Sequence, residues 1–406
     1  MKIACYDCGR EFPVDSFPVR CGCGGLLTVH QTFHSVDAEK LKATFHERLQ
    51  ERGTSYASGV WRYKELICPD LPDSFIVTKY EGNTGLYAAQ AARDYAGLRQ
   101  VWLKAQSENP SGSFKDNGMT VAVSFGRFTG STSFACSSTG NTSSSLAMYA
   151  AVAGCRSVVL VPEHDVSISK VLQTAAYGAE IIRFPGTYDD GIRFLEKRGA
   201  ELGLYVCNSV NPFRIEGQKS IAFELAQDLS WSLPDWIVVP GGALSNVSAL
   251  GKALRELKEL GFIDKLPQVA VIQAEGASPF HRMVNSGLPE LAPEPTPRTI
   301  ASALNIGNPP SWRKALQVLQ ETQGITASVS DAEIMAAKAV IDRSGIGCEP
   351  ASAAALAGLR KLVLAGTIHK EETAACILTG NMLKDTDALK GYLSSSTVQK
   401  ERRIEA

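Results

Sequence analysis

From about residue 76 onward the chain alternates between two apolar patterns, and this alternation limits its fold more than any other feature. Short runs rich in β-branched and aromatic residues recur at Phe75–Thr78, Val101–Leu103, Ser133–Cys136, Ser157–Val161, Ile181–Phe184, Trp236–Val239, Gln268–Gln273 and Ala374–Leu378. Between them lie stretches of helical period, among them Thr142–Val152, Ile215–Leu229 and Asp331–Arg343. A parallel strand pair needs a long crossover, and crossover helices cover the faces of the sheet they connect. The pattern therefore predicts an α/β fold of open, twisted, mainly parallel sheets with covering helices. At 406 residues and 44% apolar content, the chain can bury the core of two lobes.

Composition excludes some partners. A formal net charge of −1 offers nothing to a polyanion, so no nucleic acid is expected. Residues 1–20 carry Lys2, Asp7, Arg10, Glu11 and Asp15 and lack the apolar centre of a secretory signal. No apolar run has the length of a membrane span, and no membrane partner is expected. Cys136, Cys155, Cys207 and Cys376 sit in or beside apolar runs, as small buried hydrophobes do, which suits a reducing cytoplasm.

The chain divides into four parts on this reading. Residues 1–30 hold two cysteine pairs, Cys5 with Cys8 and Cys21 with Cys23, on either side of a short β-prone loop. Four thiolates so spaced fit a zinc-ribbon-like segment with a structural zinc, although the tighter second pair also allows free thiols. Residues 31–75 read as a helical connector closed by Pro69 and Pro72. Residues 76–395 form the α/β region, with a smaller lobe at roughly 107–205, and residues 396–406 are a charged tail.

In open α/β sheets ligands bind beyond the carboxyl ends of strands. Four loops occupy such places. The first, Ser111-Gly-Ser-Phe-Lys-Asp, holds Lys115 at a helix start, with Ser113 and Asp116 at capping-box spacing. The partial positive charge of a helix N-terminus favours the neutral amine, the form that condenses with a carbonyl. A solvated first-turn lysine would look the same. The second loop, Ser137-Ser-Thr-Gly-Asn-Thr-Ser, crowds hydroxyls around Asn141 and suits an oxygen anion. The third, Pro240-Gly-Gly-Ala-Leu-Ser-Asn, could close its backbone N–H groups around a phosphate, or be a plain tight turn. The fourth, Leu378-Thr-Gly-Asn, puts the Thr379 hydroxyl at a strand end, and taken alone reads as a plain strand-to-loop turn. Together they supply what holds pyridoxal phosphate by its aldehyde, phosphate, 3′-oxygen and ring nitrogen.

The ordered series Glu81-Gly-Asn-Thr, Asn109-Pro-Ser-Gly-Ser-Phe-Lys-Asp, Ser138-Thr-Gly-Asn-Thr-Ser, Asn211-Pro-Phe-Arg-Ile-Glu-Gly-Gln-Lys, Gln273-Ala-Glu-Gly-Ala, Ile306-Gly-Asn-Pro, Glu349-Pro-Ala-Ser-Ala and Leu378-Thr-Gly resembles the threonine synthases. These are fold-type II pyridoxal-phosphate enzymes of the tryptophan synthase β-like group. The resemblance implies that Lys115 bonds the cofactor and moves protons, and that Asn141 binds its 3′-oxygen. It implies that Gly242, Ala243, Leu244, Ser245 and Asn246 cradle the cofactor phosphate and that Thr379 faces the pyridine nitrogen. Ser138, Thr139 and Thr142 would take the substrate carboxylate. Arg214, with Ser209, would take the substrate phosphate, unless Arg214 pairs with Glu216 instead. The implied reaction turns O-phospho-L-homoserine and water into L-threonine and phosphate, in a homodimer with a small amino-acid substrate. Departures at Asn117, Ala243 and Asn381 leave as the alternative a related lyase or β-replacement enzyme acting on another (phospho)amino acid such as phosphoserine, or a serine/threonine dehydratase.

Overall fold

The computed structural model describes residues 1–33, 36–163 and 168–395. The charged tail lies outside the described residues. At the N-terminus, β1 (Lys2–Cys5) pairs antiparallel with β2 (Glu11–Phe12) and β3 (Leu27–His30). One face of β1 and β3 is buried, with Ile3, Leu27 and Val29 at 0–1% exposure, so this small sheet packs onto the body of the protein.

Two further sheets follow. The strands are β4 (Leu86–Tyr87), β5 (Gln100–Ala105), β6 (Ser133–Ser137), β7 (Arg156–Pro162), β8 (Glu180–Phe184), β9 (Tyr205–Val206), β10 (Trp236–Pro240), β11 (Gln268–Ala274), β12 (Ile325–Val329) and β13 (Thr373–Leu378). The larger sheet has the order β12-β11-β10-β13-β5-β4, parallel throughout except for the short β4 at its edge. The smaller, β8-β7-β6-β9, is wholly parallel. The predicted α/β class with mainly parallel sheets is the one observed.

The larger sheet is buried on both faces because its strands read as continuous apolar runs, such as Trp236-Ile-Val-Val-Pro in β10. Against one face packs the helix Pro350–Leu364, whose buried Ala351, Ala353, Ala354, Ala355 and Ala357 let it approach closely. At Gly358 a side chain would collide with Ile272 of β11. The helices Lys115–Phe128 and Pro212–Gln218 cross just as tightly. A Cβ at Gly217 would strike the carbonyl of Asn117, and one at Gly118 that of Arg214.

Two sequence expectations need correction. Phe75–Thr78 is not a strand: Asp73–Phe75 is a short 3-10 turn and the rest is extended chain. The backbone of Val77 is satisfied by side chains of the Lys115 helix instead of by a neighbouring strand. Val77 N–H donates to Ser124 Oγ at 2.8 Å, and Thr120 Oγ1 donates to Val77 O at 2.6 Å. The stretch Ile215–Leu229 is two helices, Pro212–Gln218 and Ser220–Asp228, meeting at Lys219.

Candidate active site

Three neighbouring strands of the larger sheet, β10, β13 and β5, end on the same side and send loops to one cavity of about 560 Å³. The loop after β6 of the smaller sheet reaches it from across. Of the residues singled out from sequence, Lys115, Ser138, Thr139, Asn141, Thr142, Ser209, Gly242, Ala243, Ser245, Asn246 and Thr379 line this cavity. Four segments far apart in sequence converge because each leaves a parallel strand at its carboxyl end.

Lys115 begins its helix, Lys115–Phe128. Its Nζ makes no hydrogen bond or ion pair among the described residues and lies 4.0 Å from the centre of the Phe114 ring. Burial, and then the nearby positive charge of Arg214, lower its pKa to about 7, against a weaker opposing pull from Glu349. A lysine amine in this state is substantially neutral at neutral pH, as a nucleophile or base must be.

The capping box expected from Ser113 and Asp116 does not form; the helix has no side-chain cap. Asp116 is fully buried and turns the other way. It accepts from Ser111 N–H, Ser111 Oγ and Ser145 Oγ, each at 2.6 Å, tying the lysine loop to the helix Asn141–Val152. Burial raises its pKa to about 6.

The turn after β10 is built around Leu244, a non-glycine residue at φ +65°. Its side chain is in the core, so Leu244 contributes only backbone to the site. Among the described residues, the N–H groups of Gly242, Ala243, Leu244 and Ser245 donate no hydrogen bond. They precede and open the fifteen-residue helix Ser245–Glu259, whose dipole favours an anion at the same point. Asn246 braces the turn by donating to Pro240 O at 2.8 Å.

On the other wall, Asn141 is the first residue of its helix and donates from Nδ2 to Glu349. Thr379 Oγ1 lies 3.0 Å from Ser352 Oγ. Arg214 does not line the cavity. It is fully buried behind the wall, with Nη1 donating to Cys207 O at 3.2 Å, and it acts on Lys115 through its charge. Glu216, considered from sequence as its partner, pairs instead with Lys219 at 2.8 Å and with Lys252. Of the departures expected to reshape the pocket, only Ala243 lines it. Asn117 donates to Ser220 Oγ at 2.9 Å, and Asn381 accepts from Leu383 N–H at 3.0 Å.

Sequence reasoning assigned no role to Glu349 or Lys384, both of which line the cavity. Lys384 spends its three donors on Ser111 O, Ser144 Oγ and Gln173 Oε1, at 3.0, 2.9 and 2.6 Å. Glu349 opens the Glu349-Pro-Ala-Ser-Ala motif, and a glutamate directly before a helix-opening proline is the available signal.

Residues 77–380 match the family model described as pyridoxal-phosphate dependent enzyme. The chain is 41% identical to the threonine synthase of Methanosarcina acetivorans, over 98% of this chain and 95% of that protein. It is 41% identical to that of Methanocaldococcus jannaschii, over 95% and 93%. Among solved structures, threonine synthase from Escherichia coli superposes with a TM-score of 0.75 over 98% of this chain and 92% of that one, at 16% identity, a likeness of fold. The chain belongs to the pyridoxal-phosphate dependent enzymes and, among them, to the threonine synthase family.

Proposed function

We infer that the chain is a threonine synthase that takes O-phospho-L-homoserine and water to L-threonine and phosphate. The observation that carries this is Lys115, an enclosed amine with no hydrogen-bond or ion-pair partner among the described residues, across one cavity from a loop whose backbone N–H groups are unbonded among those residues. The cavity fits pyridoxal phosphate on its own terms. The four N–H groups of Gly242 to Ser245 suit a phosphate, and a Cβ at Gly242 would come within 2.9 Å of Ala303 O, narrowing the cradle. When bound, the cofactor supplies an aldehyde for an amine and a ring that draws electrons from the amino-acid carbon skeleton.

Each remaining part falls to the chain's own groups. Lys115, poised near neutrality, takes and returns protons at the substrate carbons. Ser138, Thr139 and Thr142, around the start of the helix Asn141–Val152, suit the substrate carboxylate. Ser209 offers a hydroxyl to the substrate phosphate, and Arg214 supplies positive potential from behind the wall. Thr379, a neutral hydroxyl, would face the ring nitrogen and leave the ring a weaker electron sink than a carboxylate would. The test is a product assay on the purified holoenzyme with O-phosphohomoserine. Stoichiometric phosphate and threonine support the reading; 2-oxobutanoate from threonine, without phosphate turnover, overturns it.

The N-terminal cysteines support a structural zinc. The Sγ atoms of Cys5, Cys8, Cys21 and Cys23 lie within 4.8 Å of one another, with neighbouring pairs at 3.4–3.7 Å. Tetrahedral zinc thiolates, with Zn–S of about 2.3 Å, need S···S of about 3.8 Å. Metal analysis should find one zinc per chain. We also read the molecule as a homodimer of a cytoplasmic type, with residues 107–205 as a smaller lobe. Light scattering of the purified protein checks the dimer.

A further inference from the structure

Glu349 stands immediately before the helix Pro350–Leu364, yet its side chain makes no capping bond to that helix. It turns into the cavity, where it is 4% exposed. There the Asn141 amide nitrogen approaches both carboxylate oxygens, at 3.2 and 3.0 Å, and Thr379 Oγ1 lies 3.5 Å from Oε1. The two oxygens of a carboxylate sit too close together to receive the two diverging N–H bonds of one amide. A single N–H is therefore shared between them, and the second N–H of Asn141 is left for a ligand. The chain opposite leaves room for this carboxyl. A Cβ at Gly380 would fall 2.6 Å from Glu349 Cδ, and the Glu349 N–H donates to Gly380 O at 2.9 Å.

We propose that Glu349 is a positioning residue for the cofactor: its carboxylate fixes which way the Asn141 amide faces, so that an N–H is presented to the cofactor's 3′-oxygen. An ionised carboxylate only accepts, and so it holds the amide nitrogen inward; without it the amide is free to turn its oxygen to the ligand. The proposal rests on the cavity being a pyridoxal-phosphate site, and not on which amino acid is turned over there. The charged groups facing Glu349 are Lys115, Lys384 and Asp385. Burial raises its pKa, opposed first by the Asn141 hydrogen bond and then by the two lysines. Its negative charge in turn supports the protonated form of Lys115.

The test uses the full chain stripped of cofactor and titrated with pyridoxal phosphate, read by visible absorption, in wild type, Glu349→Gln, Asn141→Ala and the double variant. Each single change should weaken cofactor affinity about 5- to 10-fold, and the double no more than the stronger single, because both act through one hydrogen bond. Glu349→Gln should also lower the pH midpoint for reaction of the Lys115 amine, by up to about one pH unit, since an opposite charge has gone. Effects that multiply in the double variant, or an unchanged affinity and midpoint in Glu349→Gln, overturn the proposal. Should Glu349→Gln fail to fold, Glu349→Asp keeps the charge but shortens the reach. It should lose affinity with the pH midpoint held, and full wild-type affinity there would count against the proposal. A protein that binds the cofactor as described but makes no threonine would sink the functional reading and leave this one standing.

Discussion

Lys115 and Lys219 are both enclosed lysines, the first opening a helix and the second at the junction of two helices, and they have opposite fates. Lys219 is fully buried between Glu216 at 2.8 Å and Glu256 at 2.7 Å, and it also donates to Leu66 O at 2.6 Å. Burial pulls its pKa down, but the two carboxylates outweigh burial and raise it. Among the described residues Lys115 has neither carboxylate nor carbonyl within hydrogen-bonding reach, and burial takes its pKa to about 7. The same side chain is a structural cation in one place and, in the function proposed above, a reactive amine in the other. What separates them is the set of partners, since both are enclosed.

The strongest way to break this comparison is to delete each amine. Lys115→Ala should cut kcat by about 10³-fold or more while leaving the melting transition at or above its wild-type value, since a buried amine that disfavours folding has gone. A variant that keeps a tenth of its turnover would remove Lys115 from the chemistry. Lys219→Met should do the reverse. Two buried carboxylates lose their shared cation, and denaturant unfolding should show a loss of about 3–5 kcal/mol. Substrate turnover per folded molecule should stay within a few-fold.

Stability against pH sharpens the contrast, because the two lysines carry opposite signs. Lys115 has a folded pKa below its unfolded value, so between about pH 7 and about pH 10 the unfolded chain holds a proton that the folded one does not. Its cost to folding is complete below about pH 7 and fades as the pH climbs through that window. Lys219 has a folded pKa above its unfolded value, so its contribution is complete below the unfolded value and is lost as pH rises through the folded one. Unfolding midpoints of Lys115→Met at pH 7 and pH 9 should therefore differ less in the upward direction than those of wild type. Equal upward slopes in the two proteins would mean that Lys115 is an ordinary solvated lysine.

These lysines also mark how far the sequence could be read. The loop of Lys115 was legible because its meaning is local: a strand, a small-residue loop and a helix start in one stretch. The same holds for the turn at Gly242 to Asn246 and for the cysteine pairs. Glu349 and Lys384 were not legible because their meaning lies in partners far along the chain: Asn141 is 208 residues from Glu349, and Ser111 is 273 from Lys384. No spacing rule reaches across such distances. Arg214 was placed at the substrate by motif, whereas the crossing through Gly118 and Gly217 puts its helix against the back of the lysine helix. Phe75–Thr78 has the composition of a strand, and the side chains of Ser124 and Thr120 took the bonds a neighbouring strand would have made. The strand Ile325–Val329 is not legible because Thr326 and Ser328 interrupt the apolar run that marks the other strands.

The finest test concerns two departures that looked alike in sequence and that the fold treats differently. Ala243 lines the cavity, and its carbonyl accepts from Ser311 N–H at 3.3 Å while its N–H stays among the unbonded group of the cradle. Ala243→Asn changes only what projects from that backbone, so cofactor affinity should hold. A new amide in the cavity should shift the ratio of kcat/KM for O-phosphohomoserine to that for threonine dehydration by up to about tenfold, the reach of one neutral hydrogen bond. Asn117 is fully buried and bonded to Ser220, one residue from the Gly118 crossing. Asn117→Arg should therefore appear as lost stability, in unfolding midpoints, with the substrate ratio unmoved. If the ratio followed Asn117 and ignored Ala243, then residues outside the cavity wall would be setting specificity, and the separation of reactive from structural positions by their partners would fail at its smallest scale.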